Sequence, residues 1–185
     1  MGLAEITSGY RSKLIINSYR KWIRSNSKVL DVGCGNGVVS VRIQKALNIK
    51  ITGCDIMNYL SHDIKFFRMK DCNKLPFDDK MFDIAMFNDV LHHMSKKNQV
   101  GLINEALRVA KTIVIFEVSP TISGIIFDFI MNKIHNFRMN IPFEFRKIED
   151  WENLFKKHKL VYEAIEVKSP FFYPFKHIAF KLENE

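Results

Sequence analysis

Gly33, Gly35 and Gly37 follow Asp31 in the run Asp31-Val32-Gly33-Cys34-Gly35-Asn36-Gly37, and two further carboxylates, Asp55 and Asp71, recur downstream after similar short apolar runs. Glycines let the backbone approach a ligand closely and present its N–H groups. Carboxylates accept hydrogen bonds and donate none, so the set suits a ligand rich in hydroxyl, amine or ammonium donors. The spacing is G-x-G-x-G, and Val38 stands where a dinucleotide fingerprint wants its third glycine, which favours a ligand other than a pyrophosphate. A nicotinamide-dependent dehydrogenase stays as an alternative, because Asp55 lies 22 positions after Gly33, near the spacing of a ribose-binding acid.

The elements that must hold these residues can be read from hydrophobic pattern. Strands are expected at 28–32, 50–54, 64–69, 82–87 and 112–118, with helices at 38–47 and 97–110 between them. This alternation reads as parallel strands joined by crossover helices. An amphipathic helix with a basic outer face is expected over 7–25, and a helical, phenylalanine-rich insertion or lid over 120–146. A helix at 149–158, a strand at 161–167, an aromatic loop at 169–176 and a strand at 177–182 close the chain. In this arrangement Asp31, Asp55 and Asp71 sit at adjacent strand tips and line one crevice.

The ordered segments V-L-D-V-G-C-G-N-G, G-C-D-I, D-C-N-K-L-P-F-D-D and F-D-I-A-M-F-N-D-V-L-H-H-M resemble class I S-adenosylmethionine-dependent methyltransferases over 29–94, within them the small-molecule, type 11-like group. The resemblance implies an α/β fold: a Rossmann-like seven-stranded, mostly parallel sheet with an antiparallel last strand and helices on both faces. It implies S-adenosylmethionine as cofactor and S-adenosylhomocysteine as product. Gly33, Gly35 and Gly37, with Cys34 and Asn36 between them, would face the methionine part, and Asp31 would help hold its ammonium. Asp55, with Ile56 beside it, would meet the ribose. Asp71 and the Cys72 backbone would meet the adenine, and Asn88 and Asp89 would border the sulfonium.

Displacement at a sulfonium needs in-line alignment, and a base where the nucleophile is a hydroxyl or a charged amine. His92, His93 and Tyr173 are the candidates for that base, with His135 a weaker one and Glu117 able to point into the site. Each is also readable as an ordinary packing residue. A magnesium-dependent variant would draw on Asp89 and Glu117; no metal is expected. The loop after the fourth strand, the insertion and Phe171-Phe172-Tyr173 would form the acceptor pocket, whose rings suit an apolar or aromatic small molecule.

With 185 residues and 47% hydrophobic content, one domain spanning 1–185 is expected. The chain contains no run of about 18 uncharged apolar residues, and a cytoplasmic location with reduced Cys34, Cys54 and Cys72 is the expectation. Of the formal charge of +8, much sits in 1–28, where Arg11, Lys13, Arg20, Lys21, Arg24 and Lys28 face Glu5 alone. That segment supports a second reading, an RNA methyltransferase using a basic helix. Against it, Asn88-Asp89-Val90-Leu91 lacks the Asn/Asp-Pro-Pro-aromatic tetrapeptide in which amine-modifying nucleic-acid enzymes resemble one another. A third reading is a cofactor-binding regulatory subunit. Oligomeric state is not legible.

Overall fold

The computed structural model describes residues 3–121, 144–169, 173 and 175–185, with side chains from residue 8 onward. Its elements are α1 (Leu3–Tyr19), β1 (Lys28–Val32), α2 (Val38–Leu47), β2 (Lys50–Asp55), β3 (Lys65–Arg68), β4 (Phe82–Asn88), a 3₁₀ turn (Leu91–His93), α3 (Lys96–Val109), β5 (Ala110–Ser119), α4 (Ile148–Lys157), β6 (Leu160–Val167) and β7 (Lys176–Asn184). The expected lid falls mostly at 122–143, and that part, like Phe171, Phe172 and His135, lies outside the described residues.

Seven strands form one sheet in the order β3-β2-β1-β4-β5-β7-β6. β1 pairs in parallel with β2 and β4, β2 with β3, and β4 with β5. β7 runs antiparallel between β5 and β6. The chain winds outward from β1 in one direction and from β4 in the other. The crevice beyond the carboxyl ends of β1 and β4 is therefore the topological switch point, where open α/β sheets bind ligands.

Two apolar cores flank the sheet. On one face Ile15 and Tyr19 of α1 and Ile43 of α2 pack against Val29, Met86, Val114 and Phe116. On the other, Leu102 and Ala106 of α3 and Trp151 and Phe155 of α4 cover Leu30, Val32, Phe87 and Phe180. Alternation along a strand divides the sites as well as the cores. Asp31 shares its face with Val29, so it looks toward α1 and α2.

The N-terminal helix differs from the expected 7–25. It begins at Leu3 and ends at Tyr19, whose buried hydroxyl is tied to β4; the chain then turns, and the Asn26 N–H bonds to the Asn48 carbonyl at 2.7 Å before β1 begins. Arg20, Lys21 and Arg24 consequently sit beyond the helix. No described helix is long and apolar enough to cross a membrane.

Candidate functional site

The glycine loop joins β1 to α2 at the switch point. Gly33 has φ +75, and a Cβ there would lie 2.7 Å from both γ-carbons of Val90, so loop and β4 tip are in direct contact. Gly35 has φ +52, a region costly to other L-residues, and a Cβ on it would meet nothing within 4 Å. Its backbone faces open space, as a cradle for a ligand requires. Its N–H donates to Asp55 Oδ2 at 3.0 Å, while the Ile56 N–H donates to Oδ1 at 2.7 Å. Asp55 therefore holds the loop's shape and keeps further lone pairs for hydroxyl donors. Burial raises its carboxyl above the usual range. Ile56 is 46% exposed, an apolar surface at the mouth of the crevice.

Cys34 and Asn36 turn their side chains to structural work. The Cys34 thiol is packed 2.7 Å from where a Gly53 Cβ would lie, and burial pushes it up to about 12, which removes it as a nucleophile. Asn36 Oδ1 accepts from the Val38 N–H at 3.1 Å. Asp71 is exposed just past β3, where Oδ1 accepts from the Asn73 N–H at 2.8 Å; Cys72 is half-buried, with Sγ accepting from Asn98 Nδ2 at 3.7 Å.

Asp31 is 2% exposed and accepts from Ser40 Oγ at 2.5 Å and from Asn88 Nδ2 at 3.3 Å. Asn88 in turn accepts from the Tyr19 hydroxyl at 3.0 Å. Burial pushes the Asp31 carboxyl up to about 7, against the opposing pull of Ser40 and Asn88. Both hydrogen-bond donors are neutral, so a ligand ammonium at this point would relieve a buried charge.

Beyond β4, Glu117 of β5 is 1% exposed and accepts from the Val90 N–H at 2.9 Å, from the Leu91 N–H at 2.7 Å and from His92 Nδ1 at 2.6 Å. It caps the 3₁₀ turn and fixes the His92 ring, which stacks on Phe145 at 4.8 Å. Glu117 therefore organises the strand tip instead of projecting into the crevice. His93 is half-buried, its ring 4.0 Å from that of His92. The far end of the insertion docks here: the Glu144 N–H donates to the His92 carbonyl at 2.9 Å, and Arg146 Nε donates to Gln99 at 2.6 Å.

Asp89 continues β4 at φ +57, which turns its side chain toward α1. Its carboxylate lies 3.4 Å from Arg11 Nη1 and 3.3 Å from His177 Nε2. Burial acts to raise the Asp89 carboxyl, but His177 and Arg11 overcome it and hold it at about 2. His177, at the start of β7, stacks on Phe116 at 4.4 Å and on Tyr173 at 5.9 Å, and Tyr173 meets Tyr10 at 5.0 Å. Burial raises the Tyr173 hydroxyl, so it stays protonated. Sequence reasoning names Arg11 only among the basic residues of 1–28 and does not single out His177. They lie 166 positions apart, and only the antiparallel return of β7 brings them together.

Asp89 and Glu117, considered above as oxygen ligands, are both engaged by nitrogen donors, and no group of three potential ligands is arranged around a metal site among the described residues. An open cavity of about 370 Å³ lies at the opposite edge, lined by Asp79, Lys80, Asn104, Leu107, Arg108 and Asn184. Arg108 there is satisfied by Glu105 and Asp79, so that cavity is separate from the crevice.

Comparison with known proteins agrees with this geometry. Residues 30–116 match the "Methyltransferase domain" family. Over 101 residues the chain is 31% identical to 27-O-demethylrifamycin SV methyltransferase of Amycolatopsis mediterranei, covering 48% of this chain and 36% of that protein. Over 94 residues it is 33% identical to tRNA U34 carboxymethyltransferase of Nautilia profundicola, covering 42% of this chain and 31% of that one. The chain thus spans about a third of the length of these curated relatives. The crystal structure of the PH0226 protein from Pyrococcus horikoshii superposes with a TM-score of 0.68 at 18% identity, covering 95% of this chain and 91% of that one. Residues 30–116 thus carry the sequence pattern of a methyltransferase domain, and the fold around them is shared with that solved structure.

Proposed function

We propose that this chain transfers the methyl group of S-adenosylmethionine to a small aromatic or apolar acceptor. The observation that carries the reading is the pairing of an open Gly35 backbone with the buried Asp31 carboxylate, whose donors are both neutral. Hydroxyl and ammonium donors on the ligand match these acceptors, and each charge-assisted hydrogen bond contributes ~1.5–3 kcal/mol. When bound, the cofactor supplies an electrophilic methyl group.

The chain's own residues do the rest. Asp55 accepts from the ribose hydroxyls while holding Gly35 in place; Asp71 and the Cys72 backbone meet the adenine; Ile56 covers an apolar face. Asn88, clamped between Tyr19 and Asp31, gives the β4 tip a fixed polar group beside the reacting centre. His92 is a positioning residue, because Nδ1 is engaged by Glu117. His93 and Tyr173 remain on the acceptor side. Tyr10, Tyr173, Phe175 and His177 supply aromatic surface there.

The RNA reading draws on a relative that acts on tRNA U34, yet two of the basic residues behind it are internally paired, Arg11 with Asp89 and Lys21 with Glu163. Incubation with methyl-labelled cofactor and a fractionated cell extract tests the choice. Label in small organic products is the expected result, and label confined to RNA would overturn it.

A further inference from the structure

We propose that His177 and Asp89 form a proton-accepting dyad for a phenolic acceptor, with Arg11 and the rings of Tyr10 and Tyr173 as the walls of its site. The inference rests on the methyltransferase reading above and names the substrate class and base for it.

Arg11 Nε and His177 Nδ1 are both buried and complete no hydrogen bond, while Asp89 Oδ1 between them has His177 Nε2 as its neighbour at 3.3 Å. Buried polar atoms in folded proteins are nearly always satisfied by protein, water or ligand. Two unsatisfied ones on residues that both touch Asp89 mark a place built for a polar group from outside. The three residues come from α1, the β4 tip and β7, and the sheet brings those elements together at the ligand-binding edge.

The arrangement also specifies the chemistry. His177 Nε2 faces Asp89 Oδ1 at 3.3 Å, so the tautomer with its proton on Nε2 leaves a lone pair on Nδ1. The Asp89 carboxylate, paired with the permanent cation of Arg11, favours the imidazolium that forms when Nδ1 takes a proton, the logic of an acid-oriented histidine. His177 touches Asp89 of the β4 tip, Tyr173 before β7 and the apolar Phe116 of β5, and from α1 Arg11 reaches Asp89 and Tyr10 reaches Tyr173. As the acceptor oxygen bonds to the methyl carbon, the carbon–sulfur pair stays on sulfur and the hydroxyl proton passes to Nδ1. A phenol can give up its proton to an imidazole as the new bond forms, whereas an aliphatic alcohol is far less acidic. The surrounding rings suit the same planar class.

The test uses the protein saturated with S-adenosylhomocysteine, ¹⁵N-histidine NMR and phenol as the probe. His177 should show a protonated Nε2 and an unprotonated Nδ1, and phenol should shift the Nδ1 signal. His177→Asn should weaken phenol binding at least tenfold in the folded, S-adenosylhomocysteine-bound protein, and Asp89→Asn should redistribute the His177 tautomers. A protonated Nδ1, phenol binding that leaves His177 unchanged, or no phenol binding to the loaded protein would overturn the dyad. Failure of the wild-type protein to bind S-adenosylhomocysteine would instead sink the methyltransferase reading itself. A purely structural His177 would not respond to phenol.

Discussion

The Tyr19 hydroxyl lies 3.0 Å from Asn88 Oδ1, and that contact decides which way the Asn88 amide points. With Oδ1 turned to α1, Nδ2 must face Asp31, so a helix on one side of the sheet sets the donor at the centre of the crevice. Burial raises the Tyr19 hydroxyl well above its usual range, which keeps it a donor at any working pH.

Tyr19→Phe should therefore cost about 1–3 kcal/mol of stability, because Asn88 Oδ1 is left buried without its partner. Urea titration would read the loss. Calorimetry should find cofactor affinity reduced several-fold, since the amide is then able to flip.

Gly33→Ala and Gly35→Ala should separate folding from binding. The first forces a Cβ into Val90 and should destabilise the protein strongly. The second adds ~1–2 kcal/mol of backbone strain, since its Cβ meets nothing, yet it fills the ligand's space. Gly35→Ala should lower the melting temperature by only about 2–8 °C, leaving the protein folded, while weakening S-adenosylhomocysteine binding more than tenfold.

Asp31 gives a pH dependence. Its folded carboxyl lies at about 7, above the usual 3.8, so the folded state holds a proton there that the unfolded chain has released, and this group's contribution to stability falls as pH rises from 3.8 through 7. Binding runs the other way, because the ligand ammonium requires ionised Asp31. Affinity for S-adenosylhomocysteine should rise by about 25-fold between pH 5.5 and 7.5. Asp31→Asn should flatten that slope, and a slope unchanged in the variant would assign the dependence elsewhere.

Glu117→Ala leaves His92 and two backbone N–H groups without their buried acceptor, a class of change that costs about 3–5 kcal/mol. A drop in melting temperature on the order of 10 °C is expected for a chain of this size. If Glu117 were instead a ligand-facing acid, thermal stability would hold and affinity alone would change.

Much of this was legible in the residues. The glycine spacing and the acids at the ends of β1 and β2 gave the crevice, because strand tips and loop are contiguous in sequence. The β strands were readable to within a few residues from their apolar runs. The end of α1 was not, since it is set by the anchoring of Tyr19 on β4, a contact spanning 69 positions. The partners of Glu117 and His177 were hidden for the same reason: a polar side chain in a strand looks alike whether it caps a turn, pairs with another strand tip or faces a ligand. Only the parallel placement of β4 beside β5, and the antiparallel return of β7, assign their partners.

Isothermal titration of S-adenosylhomocysteine into the wild-type chain and its Asp55→Ala variant addresses the assignment most directly. Removing Asp55 takes away both the proposed ribose acceptor and the partner of the Gly35 N–H. One-to-one binding to the wild type, weakened at least tenfold in the variant, is the expected result. A wild-type protein that takes up no S-adenosylhomocysteine, or a variant that binds it equally well, would contradict the account.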